Sequence, residues 1–480
     1  MAEWARFYAE FFRDGTILGA LPAQKPNESA IRMTSIPSEE IRFHPTSFCD
    51  RNGRVFTWNG GIYRGLNAQG AALYQRMNNE RIVETLVANR LLIDTETADF
   101  SVPDFELVLK HRRLPFVTHP FEWSPRMLQA AALAIADLEI ELIPHGLSTG
   151  GFDTNCWNLL FDGVTPLYVD FGSIEPFKLS HADDFSGFEM SCLFPLRLHA
   201  AGHGHIAWCL LQDFLSGGIL HTDYAALNRV QPQPGARVAR KLRSSLRALT
   251  PDPLYRKIRP VRPVLAPQAQ RLVVMRQLRD EAAAIELPPE PVLPNRASPH
   301  TTRIEAVLAG EDPKTVLAVG DGASAIAALA GRAGRQVVAM AREPAAVDAQ
   351  FQAGEKGVLP VWMDLRYPTP GFGISNRELQ PATERLACDA VVATGCVHRF
   401  AFENRLPAEH IATLFSDFAK KLLVVEFPFP ESPLLRESAR DKFPWYGLDN
   451  FVAGLRERFA TVEILESGPE SALLLARKSS

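Results

Sequence analysis

Several features that would narrow the function are scarce or missing in this chain. Its 480 residues include only six cysteines, and none of them forms the C-x-x-C pair used by zinc sites and redox motifs. Lys and Arg number 51 against 55 Asp and Glu, so no basic field favours nucleic acid or an anionic membrane. No run of about 18 apolar residues is present. We therefore expect reduced cysteines, no nucleic-acid partner and no membrane span.

The start of the chain and its composition are those of a globular protein of the cell interior. The first residues, MAEWARFYAEFF, lack the basic region and apolar core of a secretory signal. Hydrophobic residues make up 46% and charged residues 22% of the chain, as in ordinary globular domains. At roughly 150 residues a domain, this length predicts two or three folding units. The expected location is the cytoplasm.

The character of the sequence changes twice along the chain. Residues 1–225 alternate short β-like runs with helical runs, and residues 306–480 alternate strands and helices as in a parallel α/β sheet. Residues 226–305 lie between them, and ten of the 36 prolines fall at 251–300. Residues 237–262 carry nine Lys or Arg against one acid. Because proline interrupts helices and central strands, we predict an irregular bridge without long helices or a third compact domain.

The third region opens with a strand, a glycine loop and a helix. Residues 316–319 are predicted to form a buried parallel strand. Gly320 and Gly322 then permit a tight turn with close approach to a ligand, and a small-residue helix begins at Ala323. Further strands are predicted at residues 336–341, 358–363, 389–393 and 422–425, with a closing antiparallel hairpin at 460–465 and 472–476.

Residues able to take part in chemistry follow the ends of these strands. Gly320, Glu343, Asp364, His398 and Glu426 all come after a predicted strand, so we expect them to converge on one crevice at the carboxyl edge of the sheet. His398 could act as a general base or pack at the rim of the crevice. Glu426 could contact an amine or hydroxyl of a substrate, or serve as a structural acid at the end of its strand.

Five sequence strings of this region resemble a known family. They are VLAVGDGASAIAALA, VVAMAREPAAV, LPVWMDLRYPTPGFG, CDAVVATGCVH and LLVVEFPFPESP, in this order within residues 316–433. They resemble the class I S-adenosylmethionine-dependent methyltransferases, and more closely the bacterial two-part proteins labelled nodulation-protein-like methyltransferases. The resemblance implies a Rossmann-like fold in which Gly320, Asp321 and Gly322 bind the cofactor and Asp364 binds its adenine amino group.

The chain departs from the family pattern at positions that matter for the cofactor. Ala318 stands where the first strand usually ends with an acid, and Ser324 stands where the loop usually has a further glycine. Ala341 replaces the acid that holds the ribose hydroxyls, and Glu343, two residues later, is the expected substitute. Two missing charge-assisted hydrogen bonds of ~1.5–3 kcal/mol each would weaken cofactor binding by about 10²–10⁴.

The first region contains a hairpin and a long helix. Two β-like runs flank Asn59 and Gly60, and Asn-Gly between such runs is a strong hairpin signal. Ser124 is a suitable N-cap and Pro125 suits the first helical position, so a long helix is predicted from here to about Leu142.

The segment after this helix, HGLSTGGFDTNCWNLLF followed by PLYVDFGS, carries a second set of candidate site residues. Asp153 and Asn158 are five positions apart. A short predicted hairpin follows, and Asp170 comes directly after it in an Asp-Phe-Gly turn. This arrangement resembles the catalytic loop and metal-binding turn of the protein-kinase-like fold. The resemblance implies that Asp153 orients the attacking hydroxyl while Asn158 and Asp170 hold Mg²⁺ on ATP.

Other kinase features are missing, which leaves a scaffold or binding module as the alternative. No glycine-rich phosphate loop precedes the first hairpin, and Arg64 is the cation nearest to the expected lysine. We expect Asp153, Asn158 and Asp170 to face one cleft whether or not ATP is turned over. Mg²⁺ or Arg64 would relieve the repulsion between the two carboxylates.

The sequence as a whole predicts a two-domain transferase of the α/β plus α+β class. Residues 1–225 are predicted to be kinase-like, 226–305 a bridge, and 306–480 a Rossmann-like methyltransferase domain. The leading function is methyl transfer from S-adenosylmethionine to a small or carrier-bound metabolite. The alternatives are ATP-dependent phosphotransfer by the first domain, and a non-catalytic binding protein that uses both pockets.

Overall fold

The structure is a computed structural model in which two units with separate sheets pack against each other. It describes residues 34–50, 52–213, 216–227, 266–288, 297–432, 443 and 445–479. Most of the predicted bridge, including its basic stretch, lies outside these ranges. Within them, no helix is both long and apolar enough to cross a bilayer.

The N-terminal unit begins with a five-stranded antiparallel sheet. Its strands are β1 (Arg42–Phe43), β2 (Gly53–Trp58), β3 (Gly61–Leu66), β4 (Thr95–Thr97) and β5 (Leu107–His111), in the spatial order β1-β2-β3-β5-β4. Asn59 and Gly60 connect β2 to β3 with φ angles of 45° and 76°. Both residues therefore have the left-handed backbone that a two-residue hairpin turn requires, and the predicted hairpin is confirmed.

Helices and a second hairpin complete this unit. The helices are α1 (Ala68–Asn79), α2 (Ile82–Ala88), α3 (Pro125–Leu142), α4 (Phe194–Ala200), α5 (Gly204–Leu211) and α6 (His221–Leu227), and the hairpin joins β6 (Leu159–Asp162) to β7 (Thr165–Tyr168). The Ser124 side chain accepts a hydrogen bond from the Met127 amide at 3.4 Å, which caps α3 as predicted. Helix α3 ends at Leu142, also as predicted, and buries most of its length in the core.

Part of the predicted bridge is a long helix, so the prediction that its prolines exclude one is wrong. Helix α7 (Pro267–Ala284) has 18 residues and packs along α3. Pro267 lies in its first turn, where the missing amide proton leaves no hydrogen bond unmade. The next proline is Pro288, so the prolines bracket the helix instead of interrupting it.

Helix α7 is fastened to the N-terminal unit by a fully buried ion pair. Arg271 of α7 and Glu139 of α3 are both 0% exposed, and the Arg271 Nε lies 2.6 Å from a Glu139 carboxylate oxygen. Three further guanidinium hydrogens go to backbone carbonyl oxygens, those of Gly150 and Asp184 at 2.7 Å each and that of His181, and the last goes to the Thr154 hydroxyl. Because every direction of the guanidinium has an acceptor, the cost of burying its charge is offset.

The same ion pair fixes the segment of residues 147–155, which we call the Asp153 loop. Glu139 accepts hydrogen bonds from the Ser148 hydroxyl at 2.6 Å and from the Thr149 amide at 2.9 Å. Arg271 reaches the other end of the loop through the Thr154 hydroxyl at 3.2 Å. The loop is therefore held between α3 and α7 by side chains that water does not reach.

The C-terminal unit is built on a seven-stranded sheet. Its strands are β8 (Thr315–Gly320), β9 (Gln336–Ala341), β10 (Val358–Trp362), β11 (Cys388–Thr394), β12 (Ala419–Pro428), β13 (Thr461–Ser467) and β14 (Ser471–Arg477), in the order β10-β9-β8-β11-β12-β14-β13. The first five run parallel, and β13 and β14 form an antiparallel hairpin at one edge. This confirms the predicted parallel strands and closing hairpin, and with them the Rossmann-like fold.

Helices cover both faces of this sheet. They are α8 (Thr301–Glu311), α9 (Ala323–Arg332), α10 (Pro344–Ala353), α11 (Val397–Phe402), α12 (Ala408–Phe418) and α13 (Leu448–Arg456). Successive residues of β8 alternate between two apolar cores: Val316 and Ala318 belong to one, and Leu317 and Val319 to the other. A parallel strand that is buried on both faces has a continuous apolar sequence. The position of β8 was predictable for this reason.

A second buried ion pair joins the two units. Arg385, between β10 and β11, contacts both carboxylate oxygens of Glu122 at 2.6 and 3.0 Å, and the two side chains are 3% and 1% exposed. Burial alone would raise the pKa of Glu122, but the Arg385 guanidinium and the His119 ring hold that pKa below its usual value. Nearby, the Arg126 amide at the start of α3 donates to the Asp348 carboxylate of α10 at 3.2 Å.

Aromatic side chains extend this contact between the units. The rings of Trp208 and Trp362 lie 6.0 Å apart, and those of Phe121 and Phe372 also lie 6.0 Å apart. The Trp362 indole N–H donates to the Arg342 carbonyl oxygen at 2.9 Å. The interface thus reaches the segment that follows β9, where ligands of this fold class bind.

We predict that Arg271→Met strongly destabilises the protein while Arg276→Met, on the same helix, does not. The first change leaves the Glu139 carboxylate buried without its counter-charge, for which a loss of about 3–5 kcal/mol is expected. Arg276 is exposed, so its loss should change the free energy of unfolding by less than about 0.5 kcal/mol. Urea unfolding of the full chain measures both, and an unchanged midpoint for Arg271→Met would contradict the assigned role.

Candidate functional site

A cavity of 430 Å³ opens at the carboxyl edge of the parallel strands. Its volume lies in the range of about 300–1,000 Å³ that small-molecule sites occupy. The segments that follow β8, β9, β10 and β11 form its rim, and helices α9 and α10 form much of its wall. The backbone of Gly320 and the charged side chains of Asp321, Glu343, Asp364, Arg366 and Arg399 line it.

Gly320 brings the backbone into this cavity in a way that no other residue can. Its φ angle is 100°, and a Cβ atom there would lie 2.0 Å from the Thr394 carbonyl oxygen. The Asp321 amide donates to that same oxygen at 3.0 Å. The turn after β8 is therefore pinned against the end of β11, which leaves its outer side open to a ligand.

Three carboxylates at the mouth of the cavity belong to residues that were predicted to bind the cofactor, and each of them contacts an arginine. The pairs are Asp321 with Arg399 at 2.8 Å, Glu343 with Arg342 at 2.9 Å, and Asp364 with Arg366. The Arg342 and Arg366 partners lie within two positions of their acids, so these pairs form within single loops. The sequence reasoning missed all three arginines, although two of them stand beside residues already singled out.

The pairing is tightest at Asp364, the acid implied to bind adenine. One carboxylate oxygen accepts from the Arg366 amide at 3.0 Å and from its Nε at 2.9 Å. The other oxygen accepts from Nε at 3.1 Å and from Nη2. Because a carboxylate offers about four acceptor directions, Arg366 takes up the hydrogen-bonding capacity that an adenine amino group would use.

The departures from the family pattern have visible structural counterparts. Ala318 is fully buried and belongs to the apolar core on one face of the sheet. The Ser324 hydroxyl, at a position where the methyltransferases usually have glycine, accepts a hydrogen bond from the side-chain amide of Gln350 at 3.0 Å. This bond links α9 to α10. Ala341 lines the cavity without offering a polar group, and Glu343 lies two residues further along the rim.

His398 and Glu426 are placed differently from the other predicted site residues. Within the described part of the chain, neither lines the cavity, although Arg399 beside His398 does. Glu426 is 4% exposed and accepts a hydrogen bond from the Ser471 hydroxyl at 3.1 Å. That hydroxyl lies 2.9 Å from His300 Nε2, so Glu426 belongs to a buried polar chain across β12 and β14. The cavity therefore brings together Gly320, Glu343 and Asp364 of the five residues expected there.

Cys396 is a cavity residue that the sequence reasoning did not select. It follows β11 and is 1% exposed, and burial raises the pKa of its thiol to about 12, with Arg399 opposing that rise. The thiol is consequently neutral at physiological pH, and its role in the cavity wall is that of a small apolar side chain.

In the N-terminal unit, Asn158 links the Asp153 backbone to the hydroxyl group of Tyr168. The Asn158 side-chain amide donates to the Asp153 carbonyl oxygen at 3.0 Å and lies 3.5 Å from the Tyr168 hydroxyl. Burial raises the pKa of Tyr168, and the charges of Asp170 and Asp153 raise it further, which places both carboxylates within electrostatic reach of that hydroxyl.

Arg64 supplies the cation that was expected to relieve the repulsion there. It is 3% exposed and contacts Asp170 and Asp50 at 2.7 Å each. Asp170 also accepts from the Gly172 amide at 3.2 Å and from the Ser173 hydroxyl. A Cβ at Gly172 would lie 2.2 Å from Arg64 Nη1, so this glycine makes room for the arginine.

The charges around Arg64 are strongly affected by burial. Burial raises the pKa of Asp50 to about 6 even though Arg64 opposes the shift. In the described residues, no group of three or more His, Cys, Asp or Glu side chains is arranged to hold a metal ion. The side-chain oxygens of Asp170 are used by hydrogen bonds within the protein, so the site as it stands does not fit Mg²⁺.

The fold and the cavity together define a Rossmann-like α/β unit with a ligand-sized cavity at the carboxyl edge of its parallel strands. No protein-family model matches the chain. The chain is 24% identical over 454 residues to "Nodulation protein NoeA" of Rhizobium meliloti (strain 1021), a match that covers 87% of this chain and 92% of that protein. The similarity thus extends through both units and does not stop at the Rossmann-like one.

Two solved structures are similar to part of the chain. One is the magnesium protoporphyrin IX methyltransferase ChlM of Synechocystis PCC 6803 with bound SAH, which is 14% identical, covers 47% of this chain and 93% of its own, and has a TM-score of 0.26. The other is the N-methyltransferase NodS of Bradyrhizobium japonicum WM9 in complex with S-adenosyl-L-homocysteine, which is 12% identical, covers 38% of this chain and 86% of its own, and also has a TM-score of 0.26.

We predict that Gly320→Ala destabilises the protein and that Gly310→Ala does not. The new methyl group at position 320 would overlap the Thr394 carbonyl, and the backbone there has a φ angle that alanine rarely adopts; a loss of about 1–3 kcal/mol is expected. Gly310 lies in α8 with nothing within 4 Å of its Cβ position, so alanine should stabilise the helix by about 0.5–1 kcal/mol. Thermal unfolding compares the two, and equal midpoints would contradict the close contact.

Proposed function

We propose that the C-terminal unit binds S-adenosylmethionine and transfers its methyl group to a small or carrier-bound metabolite. The observation that carries the proposal is the close approach of the Gly320 backbone to β11 at the mouth of a cavity that also contains Asp364. A glycine turn after the first strand, with an acid after the third, suits a ligand that has a nucleoside at one end. The resemblance to class I methyltransferases supplies the identity of that nucleoside.

The residues present can hold such a cofactor, with fewer charged contacts than its usual site has. The Gly320 turn would lie against the cofactor, Glu343 would bind the ribose hydroxyls, and Asp364 would bind the adenine amino group. Ala318 leaves the amino-acid end without its usual acid. The cofactor, when bound, supplies an electrophilic methyl group. What the chain supplies is orientation and the exclusion of water by an otherwise apolar wall.

A methyl acceptor with an O–H or N–H group must also lose a proton. His398 and Glu426 are our candidates for this role, His398 because it lies in α11 beside the cavity residue Arg399. Glu426 is buried in the polar chain with Ser471 and His300 and does not line the cavity, so it would act on the acceptor only through a group that lies between them.

We predict that S-adenosylhomocysteine binds the protein and that Asp364→Ala weakens this binding by about 10- to 100-fold. The loss corresponds to one charge-assisted hydrogen bond to the adenine amino group. Isothermal titration calorimetry measures the affinity of the full chain. Glu305→Ala, an exposed acid on α8, is the matched control and should bind like the wild type. No heat and no thermal shift at millimolar ligand would refute the proposed function.

The second candidate function is ATP-dependent phosphotransfer by the N-terminal unit. What favours it is the Asn158 side chain, which joins the Asp153 backbone to Tyr168, two residues before Asp170. Against turnover stands Arg64, whose guanidinium already neutralises Asp170 where Mg²⁺ would have to bind. We therefore propose that this unit is a kinase-like scaffold that binds ligands or partners without catalysing phosphotransfer.

We predict that Mg²⁺ and ATP together produce no turnover and at most weak binding. Metal binding would require Asp170 to exchange a buried charge-assisted pair for a partly hydrated ion. Phosphate release and calorimetry with millimolar MgATP provide the measurement, with Asp170→Ala as the comparison. Brisk Mg²⁺-dependent hydrolysis that disappears in Asp170→Ala would show that the unit is an active phosphotransferase.

A further inference from the structure

Two arginines at the mouth of the cavity are bound to the same acids that a nucleoside would need. Arg342 contacts Glu343, and Arg366 contacts Asp364 with its backbone amide and its guanidinium. Under the proposed function, Glu343 and Asp364 are the acids that receive the ribose hydroxyls and the adenine amine. Binding of the nucleoside therefore competes directly with both ion pairs.

These ion pairs are suited to exchange partners. The Arg342 side chain is 49% exposed and the Arg366 side chain 18% exposed, so the two guanidiniums are within reach of solvent. The partly exposed pair of Arg342 and Glu343 contributes little to folding stability. Arg366 and Asp364 are only 18% and 19% exposed, so each needs a new partner when their pair separates. Both differ from Arg271, whose pair is fully enclosed.

Both arginines line the cavity, and a third acid, Glu403, lies near them. Arg342 Nη1 is 4.0 Å from a Glu403 carboxylate oxygen, and Glu403 is close enough to Arg366 to stabilise its charge. All three residues line the cavity. Once a nucleoside occupies Glu343 and Asp364, the charges at the mouth of the cavity are unchanged, but the two guanidiniums lose hydrogen-bond acceptors and their N–H groups become available to another acceptor.

We propose that Arg342 and Arg366 form a binding site for an anionic group of the methyl acceptor, a phosphate or a carboxylate, and that nucleoside binding unmasks this site. The inference rests on the proposed function and adds to it the chemical class of the acceptor. Planar guanidiniums bind phosphate and carboxylate oxygens through paired hydrogen bonds, and two of them at one mouth favour an anion over a neutral acceptor. Nucleoside and anion must then bind cooperatively, each increasing the affinity of the other.

The experiment uses the full chain and simple probes, at constant ionic strength. The nucleoside probe is 5′-methylthioadenosine, which lacks the amino-acid end of the cofactor, and the anion probes are inorganic pyrophosphate and malonate. Calorimetry measures the affinity of each anion with and without saturating nucleoside. We expect the favoured anion to bind roughly 5- to 20-fold more tightly when the nucleoside is present. A larger effect for pyrophosphate assigns a phosphate, and a larger effect for malonate assigns a carboxylate.

Variants separate the arginines from general charge effects. Arg366→Gln should abolish the cooperativity and, because it frees Asp364, should bind 5′-methylthioadenosine more tightly than the wild type. Arg342→Gln should reduce the cooperativity. Lys314→Gln removes one positive charge at the opposite end of β8, where Lys314 contacts Asp312, and should leave both affinities unchanged.

Three results would overturn the proposal in distinguishable ways. If 5′-methylthioadenosine binds but no anion affinity changes, the anion site does not exist and the proposed function stands. If S-adenosylhomocysteine competes with pyrophosphate while 5′-methylthioadenosine enhances its binding, the arginines bind the carboxylate of the cofactor instead of the acceptor. If neither nucleoside binds to the wild type or to Arg366→Gln, the proposed function fails and this inference fails with it.

Discussion

The ion pair between Arg271 and Glu139 is the constraint on which the N-terminal unit depends. A charge that is fully removed from water must have its hydrogen bonds supplied by the protein, and here α3, α7 and the Asp153 loop supply them together. The position of Asp153 therefore follows from a residue more than a hundred positions further along the chain. A segment that was predicted to be a connector is part of the core that holds the Asp153 loop.

Both units hold their candidate acids in the same manner. Asp170 is bound to Arg64 in one cleft, and Asp364 is bound to Arg366 in the other. The difference lies in solvent access, because Arg64 is 3% exposed whereas Arg366 is 18% exposed and lies at the mouth of a cavity. A buried arginine that completes the structure cannot leave without a large cost, while one at an open rim can exchange its acid for a ligand. The two clefts thus have different capacities for chemistry although their charges are alike.

The sequence predicted the C-terminal fold closely because its strands are buried on both faces and are bounded by glycine or polar residues. Strand β9 has the predicted limits, and α3 begins after Ser124 as its capping pattern indicated. Helix α7 was missed because prolines were counted over residues 251–300, whereas the helix itself has a proline only at its first position. The arginines of the cavity were missed for another reason. Whether a carboxylate is free to bind a ligand or is already paired with an arginine depends on side-chain geometry, which spacing along the chain does not determine.

The contact between the units has a consequence for the way this architecture is inherited. Arg385 is 3% exposed only because Glu122 of the other unit covers and neutralises it, and Trp362 packs against Trp208 while it holds the backbone at Arg342. Either unit alone would present a bare charge and an apolar surface to water. The two halves therefore depend on each other for the burial of these groups. A substitution on one side of the interface changes which side chains the other side can accommodate.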